Sequence, residues 1–218
     1  DPAAASRPFD RRRNGFVLGE GAAVFVVERT GFADGRGASG YADLLGWGAT
    51  TDAHHPTTPR PDGEGAAAVM RLAIADAGLS PSDVGHVNAH GTGTPLGDPA
   101  EAGAIRAVFG EDGPAVSSVK GNTGHLLGAS GVVEAAVTAL TVNTGVVPPT
   151  RNLDEPDPAC ALDHVTAAPR AIRVDAALTN SFAFGGHNVS LLLGPAATRS
   201  VRSHHVAQPA PGTSERSA

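Results

Sequence analysis

The feature that most constrains the fold is a short apolar run that leads at once into a glycine-rich loop and then into the start of a helix. Residues 84–87 have the length and composition of a buried strand. His90 lies in the loop that follows, and Asp98 is placed to cap a helix whose first residue is Pro99. Strand, loop and helix in this order are typical of an α/β sheet, whose ligands bind beyond the carboxyl ends of its strands. The sequence therefore predicts an accessible histidine at a ligand-binding edge.

The glycines of this loop do not form a nucleotide site. Gly91, Gly93 and Gly97 miss the spacing of the dinucleotide fingerprint by one residue, and the loop lacks the lysine of a phosphate loop. We therefore do not interpret this glycine-rich segment as a nucleotide-binding loop.

A second loop follows the next short apolar segment, residues 115–119, which we predict to be a strand. It contains Lys120 and His125, and it leads into residues 131–143, whose nearly complete lack of a polar face is typical of a buried helix. Glu134 lies inside that helix, and a carboxylate is rarely buried without a partner. Lys120 is the nearest candidate, so we expect a buried ion pair between Lys120 and Glu134.

A third loop, residues 180–188, lies between two apolar runs, residues 176–179 and 189–193. Phe184 is followed there by Gly185 and Gly186, which can adopt backbone angles that other residues rarely reach. We expect this loop to swing an aromatic ring and so to act as a gate.

The remaining segments complete an alternating α/β pattern. We predict strands over residues 22–28 and 41–48, an irregular loop over 51–63 and a helix over 64–78. Residues 1–194 are expected to form one domain, and residues 195–218, which lack periodicity, to form a disordered tail.

Composition excludes several functional classes. A formal net charge of -6 argues against nucleic acid as the main partner, and no run of about 18 apolar residues exists to cross a membrane. The first residues lack the basic start and apolar core of a secretory signal, and the single cysteine, Cys160, forbids an internal disulfide. We therefore expect a cytoplasmic protein.

Other reactive side chains have simpler interpretations. His54 and His55 are adjacent, as are His204 and His205, so the two rings of each pair point apart, and neither pair has carboxylates or thiols nearby. No metal site is expected. Cys160 has no histidine near it in sequence and is not expected to be a nucleophile. From spacing alone, structural and catalytic roles remain open for His90 and His125.

Taken together, the three loops resemble the C-terminal half of a β-ketoacyl-acyl carrier protein synthase, a condensing enzyme of the thiolase superfamily. The resemblance extends beyond the loops to residues 7–10, 15–21 and 147–150, and in total it covers residues 1 to about 194. It implies a duplicated αβαβα sandwich in the complete enzyme, of which this chain supplies the second half: one mixed five-stranded sheet with buried helices. The family's nucleophilic cysteine belongs to the first half, and Cys160 falls in a loop that the family does not use for catalysis.

The resemblance also implies roles for individual residues. His90 and His125 would donate hydrogen bonds to the malonyl thioester oxygen and stabilise an enolate. Lys120, paired with Glu134, would hold His125 in place. Phe184 would be the gate, and its backbone N–H, in the turn with Gly185 and Gly186, would join an oxyanion hole.

Cofactor and partner expectations follow from the same resemblance. No protein-bound cofactor is expected, because the phosphopantetheine arm arrives on the acyl carrier protein. The expected partners are that carrier protein and an N-terminal half or second subunit, in a dimer.

Ala183 departs from the family pattern, in which glycine is common between the two phenylalanines. The effect of Ala183 on gating is left open.

The sequence leaves two questions open, the pathway and whether the chain is part of an active enzyme. The presence of both histidines argues against a chain-length-factor subunit, but fatty acid and polyketide pathways are not distinguished. The chain is either part of an active condensing enzyme or a non-catalytic or truncated partner that acts in carrier-protein docking or dimerisation.

Overall fold

The structure, a computed structural model, describes residues 1–197. Its α-helices are α1 (Thr30–Gly35), α2 (Glu64–Asp76), α3 (Gly97–Phe109), α4 (Lys120–Thr123) and α5 (Ser130–Thr144). Its strands are β1 (Asp43–Thr51), β2 (His86–Asn88), β3 (Ala115–Ser117), β4 (Val146–Val147), β5 (Arg170–Ala171), β6 (Ala177–Ala183) and β7 (His187–Gly194). Short 3₁₀ turns lie between them, for example at Pro158–Cys160.

One mixed sheet of five strands forms the centre of the described structure, in the order β1-β7-β6-β2-β3. Strands β3, β2 and β6 are parallel to one another, whereas β7 is antiparallel to both of its neighbours. The prediction of a mixed five-stranded sheet is confirmed. Because β2, β3 and β6 are parallel, their carboxyl ends, and the three loops selected from the sequence, lie at the same edge.

Small residues let the helices approach the sheet closely on one face. A Cβ atom on Gly48 of β1 would lie 2.6 Å from the carbonyl oxygen of Val69 in α2, so only glycine fits there. The main core cluster combines α2 and α3 with the apolar side of β2, β6 and β7 and includes Phe9, which is fully buried. With aromatics at only 4% of the chain, the core depends on this close packing.

Helix α5 covers part of the opposite face of the sheet, where Ala177 and Val142 belong to a second, smaller apolar cluster. The predicted helix is confirmed, but it is not buried all round in the described structure. Leu140 is 49% exposed, and Val132 and Val133 are only partly buried. An apolar stripe of α5 is therefore left without a covering element among the described residues.

The strand predicted over residues 22–28 is wrong for this structure. The segment makes no strand ladder with any described residue, and Val24, Val26 and Val27 are 91%, 84% and 78% exposed. Its composition favours a strand, but a strand needs a partner, and the described part of the chain offers none.

Other boundaries differ by a few residues. The predicted third loop is mostly strand, because β6 extends to Ala183 and β7 begins at His187, so that only a three-residue turn remains. Asp98 does not cap α3; the helix begins at Gly97, and the Asp98 carboxylate accepts backbone hydrogen bonds from Phe9, Gly93 and Thr94. The predicted tail, residues 195–218, lies outside the described residues from position 198 onward. Within residues 1–197, no helix is long and apolar enough to span a membrane.

Candidate active site

The three predicted loops converge on one cavity of about 1000 Å³ at the carboxyl edge of the sheet. The sequence-predicted residues that line it are His90, His125, Phe184 and Gly186. Lys120 and Glu134 lie directly behind it, 1% and 2% exposed. The structure thus brings together the side chains that were selected from three separate stretches of sequence.

The rings of the two histidines meet edge to face in the lining of this cavity. The ring centroids of His90 and His125 are 5.4 Å apart and their planes make an angle of 83°. His90 follows β2, and His125 follows the short helix α4 after β3, so two neighbouring parallel strands deliver the rings to one place. This proximity is what a shared role at one atom of a substrate requires.

Lys120 is the only lysine in the chain, and all three of its ammonium donors have acceptors. Its Nζ atom donates to the backbone oxygen of His90 at 2.6 Å, lies 3.4 Å from His90 Nδ1, and forms an ion pair with Glu134 Oε1. The predicted ion pair is present. The structure differs from the expectation that Lys120 holds His125, because its hydrogen bonds go to His90.

The hydrogen bonds assign the same tautomer to both imidazoles. Lys120 can only donate, so His90 Nδ1 accepts and the ring proton lies on Nε2. His125 Nδ1 accepts from the backbone N–H of Leu127 at 3.3 Å and lies 3.0 Å from the hydroxyl of Ser130, which leaves its proton on Nε2 as well. Each ring is anchored through Nδ1 and keeps Nε2–H as a donor.

Both imidazoles are neutral near pH 7. Burial, with the charge of Lys120 and the neighbouring His125, holds the pKa of His90 well below its usual value. Burial and then Lys120 lower the pKa of His125 to about 4. Burial raises the pKa of Glu134, and the Lys120 ammonium opposes this effect. The site therefore presents two uncharged N–H donors.

Glu101 supports the His90 loop and was missed in the sequence. Its carboxylate accepts from the backbone N–H groups of His90 and Gly91, both at 2.8 Å, and from the side chain of Asn180 at 3.2 Å. It is 3% exposed. Like Glu134, Glu101 is a carboxylate among the apolar and small residues of a helix, and this is the sequence signal that could have identified it.

The turn with Phe184, Gly185 and Gly186 joins β6 to β7 and is tied to the loop that follows β1. The N–H of Gly185 donates to the carbonyl of Pro56 at 2.6 Å, and the N–H of Asp52 donates to the carbonyl of Gly186 at 2.8 Å. Both glycines have positive φ, 85° and 74°, which accounts for the glycine pair. Phe184 itself is 66% exposed at the mouth of the cavity.

Two more aromatic rings contact the histidines. Phe182 lies 5.7 Å from the ring of His90, and Phe16 meets the ring of His125 edge-on at 5.4 Å. Phe16 was assigned only to a loop in the sequence, because no local pattern connects it to a histidine more than 100 positions away.

The other reactive residues lie elsewhere. Cys160 is fully buried in the core, and burial raises the pKa of its thiol to about 12, so it is not an available nucleophile. Among residues 1–197, no three histidine, cysteine, aspartate or glutamate side chains are grouped as metal ligands would be. His204 and His205 lie outside this range.

Fold and site together define the chain as one half of a thiolase-like condensing-enzyme fold. It superposes with a TM-score of 0.87 on a type II polyketide ketosynthase solved with its acyl-carrier protein (34% identity, 89% of this chain, 48% of that chain). The corresponding TM-score for a β-ketoacyl synthase from Burkholderia phymatum STM815 is 0.83 (44% identity, 87% and 46%).

The chain belongs to the β-ketoacyl synthase family, since residues 41–154 match the family described as "Beta-ketoacyl synthase, C-terminal domain". It is 50% identical over 193 residues to 3-oxoacyl-[acyl-carrier-protein] synthase 2 of Synechocystis sp. (strain ATCC 27184 / PCC 6803 / Kazusa), covering 88% of this chain and 46% of that protein. The synthase 2 of Coxiella burnetii (strain RSA 493 / Nine Mile phase I) is 47% identical, covering 88% and 47%. The chain thus spans about half the length of the relatives it matches.

Proposed function

We propose that this chain is the enolate-stabilising half of a β-ketoacyl-acyl carrier protein synthase. Completed by an N-terminal half that carries the nucleophilic cysteine, it condenses an acyl thioester with malonyl-carrier protein. The reaction class is acyl transfer by decarboxylative Claisen condensation.

The proposed chemistry conserves atoms and charge in two steps. The carboxylate of the malonyl thioester leaves as carbon dioxide, and its electron pair moves to the thioester oxygen to form an enolate. The enolate carbon then attacks the acyl carbon held on the cysteine, and the cysteine leaves as a thiolate. His90 and His125 donate Nε2–H to the oxygen on which the charge develops, and they lose no proton themselves.

One observation carries this proposal: two neutral Nε2–H donors at one cavity with ring centroids 5.4 Å apart. When one oxygen accepts hydrogen bonds of about 2.9 Å from two N–H groups, the two donor nitrogens lie at most roughly 5.8 Å apart. The 5.4 Å between the ring centroids is compatible with this limit on the nitrogen separation. The fixed orientation of both rings through Nδ1 means that little reorganisation accompanies the developing charge.

The oxyanion role is proposed for the Phe184 turn. The amides of Gly185 and Gly186 already donate, to the carbonyls of Pro56 and Ala183. The remaining amide of the turn, that of Phe184, is therefore the donor we assign to the acyl carbonyl. The exposed Phe184 ring beside it is the proposed gate.

The need for a second half is supported by the open surfaces. Cys160, the single cysteine, is buried away from the cavity, and the chain spans about half of its relatives. The uncovered stripe of α5 and the exposed residues 22–28 are apolar surfaces of the kind that a partner covers.

Partners and setting follow from the relatives. The solved polyketide ketosynthase is bound to its acyl-carrier protein, and other solved ketosynthases are complexes with a chain length factor. We propose an acyl carrier protein as the donor of the phosphopantetheine-linked substrate, a dimeric assembly, and a cytoplasmic location. Fatty acid and polyketide substrates both remain compatible with these relatives.

The test joins this chain to the N-terminal half of the Synechocystis synthase, in one polypeptide called the completed chimera below. We expect it to decarboxylate malonyl-carrier protein, and His90→Ala and His125→Ala each to lower the decarboxylation rate by about 10²–10³-fold. His54→Ala, at an exposed loop position outside the cavity, is the matched control and should retain the rate.

Unchanged decarboxylation in both cavity variants would exclude the enolate-stabilising role. A well-folded chimera that binds carrier protein but never decarboxylates would favour the alternative, a non-catalytic docking partner.

A further inference from the structure

The N-terminal segment, residues 7–19, crosses both histidine loops, and we call it the strap. Phe9 anchors it in the core, fully buried and with a positive φ of 63°. The strap contributes no titratable group to the cavity, so the chemistry proposed above does not use it. Its contacts nevertheless fall on the two loops that carry the imidazoles.

The first set of contacts is with the His90 loop. The N–H of Gly15 donates to the carbonyl of Gly93 at 2.9 Å, and the Arg13 guanidinium donates to the carbonyl of Thr94 at 3.1 Å. A Cβ atom on Gly91 would lie 2.9 Å from the ring of Phe9. The backbone of this loop is therefore in direct contact with the strap.

The second set of contacts is with the His125 loop. The N–H of His125 donates to the carbonyl of Val17 at 2.7 Å, and the N–H of Gly19 donates to the carbonyl of His125 at 3.0 Å. These two bonds form a parallel bridge between Leu18 and His125. The backbone of His125 itself is thus paired with the strap.

Only one residue, Phe16, lies between the strap residue that bonds to the His90 loop and the strap residue that bonds to the His125 loop. Gly15 bonds to the His90 loop and Val17 to the His125 backbone. Two Cα steps cannot exceed roughly 7.6 Å, so the loops cannot separate without breaking one of these bonds. Lys120 and Ser118, on the segment that leads to His125, also bond to the His90 loop, but neither side chain bonds to His125 itself, whereas the strap pairs with its backbone.

We propose that the tripeptide Gly15-Phe16-Val17 is a spacer that sets the separation of the His90 and His125 rings. Its members are positioning residues, which act on the substrate only through the two histidines. The proposal rests on the proposed function for its catalytic consequence, since two donors that share one oxygen tolerate little misplacement. A displacement of about 1 Å can lower the rate by roughly a hundredfold.

The test changes the spacer length in the completed chimera. One glycine is inserted between Gly15 and Phe16, and the matched control carries one glycine between Glu111 and Asp112, two exposed residues in the turn between α3 and β3. We expect the spacer insertion to lower kcat for malonyl-carrier decarboxylation by roughly tenfold to a hundredfold with little change in KM. The control should change neither.

A second pair of variants serves if the insertion does not fold. Gly15 and Gly78 both have positive φ, 146° and 68°, and a Cβ atom would meet nothing within 4 Å at either position. Alanine is more strained at Gly15, whose φ lies far from the left-handed well that Gly78 occupies, so Gly78→Ala controls for the loss of a positive-φ glycine outside the spacer rather than for equal strain. A loss of kcat in Gly15→Ala alone supports the proposal, and equal kcat values contradict it.

A measurement that does not depend on catalysis separates this proposal from the proposed function. In chimera labelled with ¹³C-histidine, the ring signals of His90 and His125, assigned with the alanine variants, report the ring positions by NMR. Both should move in the spacer variants and stay in the controls, even if wild-type chimera proves inactive. Unchanged chemical shifts of both rings in a folded spacer variant would contradict the proposal that the tripeptide sets the separation of the rings.

Discussion

Lys120 determines the electrostatics of the site, because this one buried ammonium contacts His90 and Glu134 and lies close enough to lower the pKa of His125. In the completed chimera, Lys120→Met should raise the pKa of His125 from about 4, as measured by ¹³C NMR titration of the ring. It should stay below the ordinary value, because burial is the larger cause of the shift. The same variant leaves Glu134 buried without its partner, which costs about 3–5 kcal/mol of stability.

The control for this prediction is Arg29→Met, which removes the same unit of charge from an exposed position. It should leave the pKa of His125 unchanged. A titration of His125 near its usual value in the wild-type protein would contradict the assignment.

The pKa of His125 also predicts how stability depends on pH. Its folded pKa, about 4, lies below the ordinary value of 6.5, so the unfolded chain binds a proton that the folded chain excludes. The contribution of His125 to stability is therefore complete above about pH 6.5 and is lost as the pH falls toward 4. Lys120→Met, by raising the folded pKa, should make this part of the pH dependence smaller in urea unfolding.

The sequence predicted several of the side chains that gather at the cavity but not the residues that support them. Glu134 and Lys120 were paired because an apolar helix left the carboxylate no other partner. Ser130 and Asp52 could not be predicted, since a hydroxyl or carboxylate in a polar loop has many possible partners. Only the fold shows that Ser130 meets His125 and that Asp52 meets the amide of Asn188.

Glycine occupies two kinds of position that the sequence alone does not distinguish. At some positions a side chain has no room, and at others a side chain would fit. Gly91, with φ 32°, leaves no room for a side chain, because a Cβ atom would lie 2.7 Å from that of Ser118. Gly103, inside α3, would meet nothing within 4 Å. Gly91→Ala should therefore destabilise the completed chimera by about 2–3 kcal/mol, and Gly103→Ala should stabilise it by about 0.5–1 kcal/mol. Urea midpoints at equal m-values measure both, and similar midpoints would contradict the packing described here.

The hairpin of β6 and β7 shows why element boundaries were predicted less well than element types. Residues 180–188 contain polar side chains and two glycines, a composition typical of a loop. In the structure Asn180 is buried and bonds to Ser190 at 2.7 Å across the strand pair, so the polar residues satisfy one another inside the sheet. Pairing between distant side chains, which local composition does not contain, extends both strands.

The described part of the chain is organised around one five-stranded sheet with one face only partly covered, and this too follows from contacts that the sequence pattern does not contain. Residues 22–28 were predicted to be a strand from their valines, and α5 was predicted to be buried from its apolar composition. Both patterns predict burial, and in the described structure much of this apolar surface is exposed. The surface that would complete each burial is not formed by the described residues.

Trp47, the only tryptophan, reports on this open face. Gly46 and Gly48 point toward α2, so Trp47 between them points to the opposite face, where it pairs with Leu191 and is 58% exposed. If an N-terminal half covers that face, Trp47 emission should lie at shorter wavelength in the completed chimera than in the isolated chain, and acrylamide should quench it severalfold less. The variant Trp47→Phe with Leu72→Trp moves the reporter to the exposed side of α2 and should show no such change. Equal quenching of Trp47 in chain and chimera would mean that the N-terminal half does not cover this face, and the apolar surface would then require a different partner.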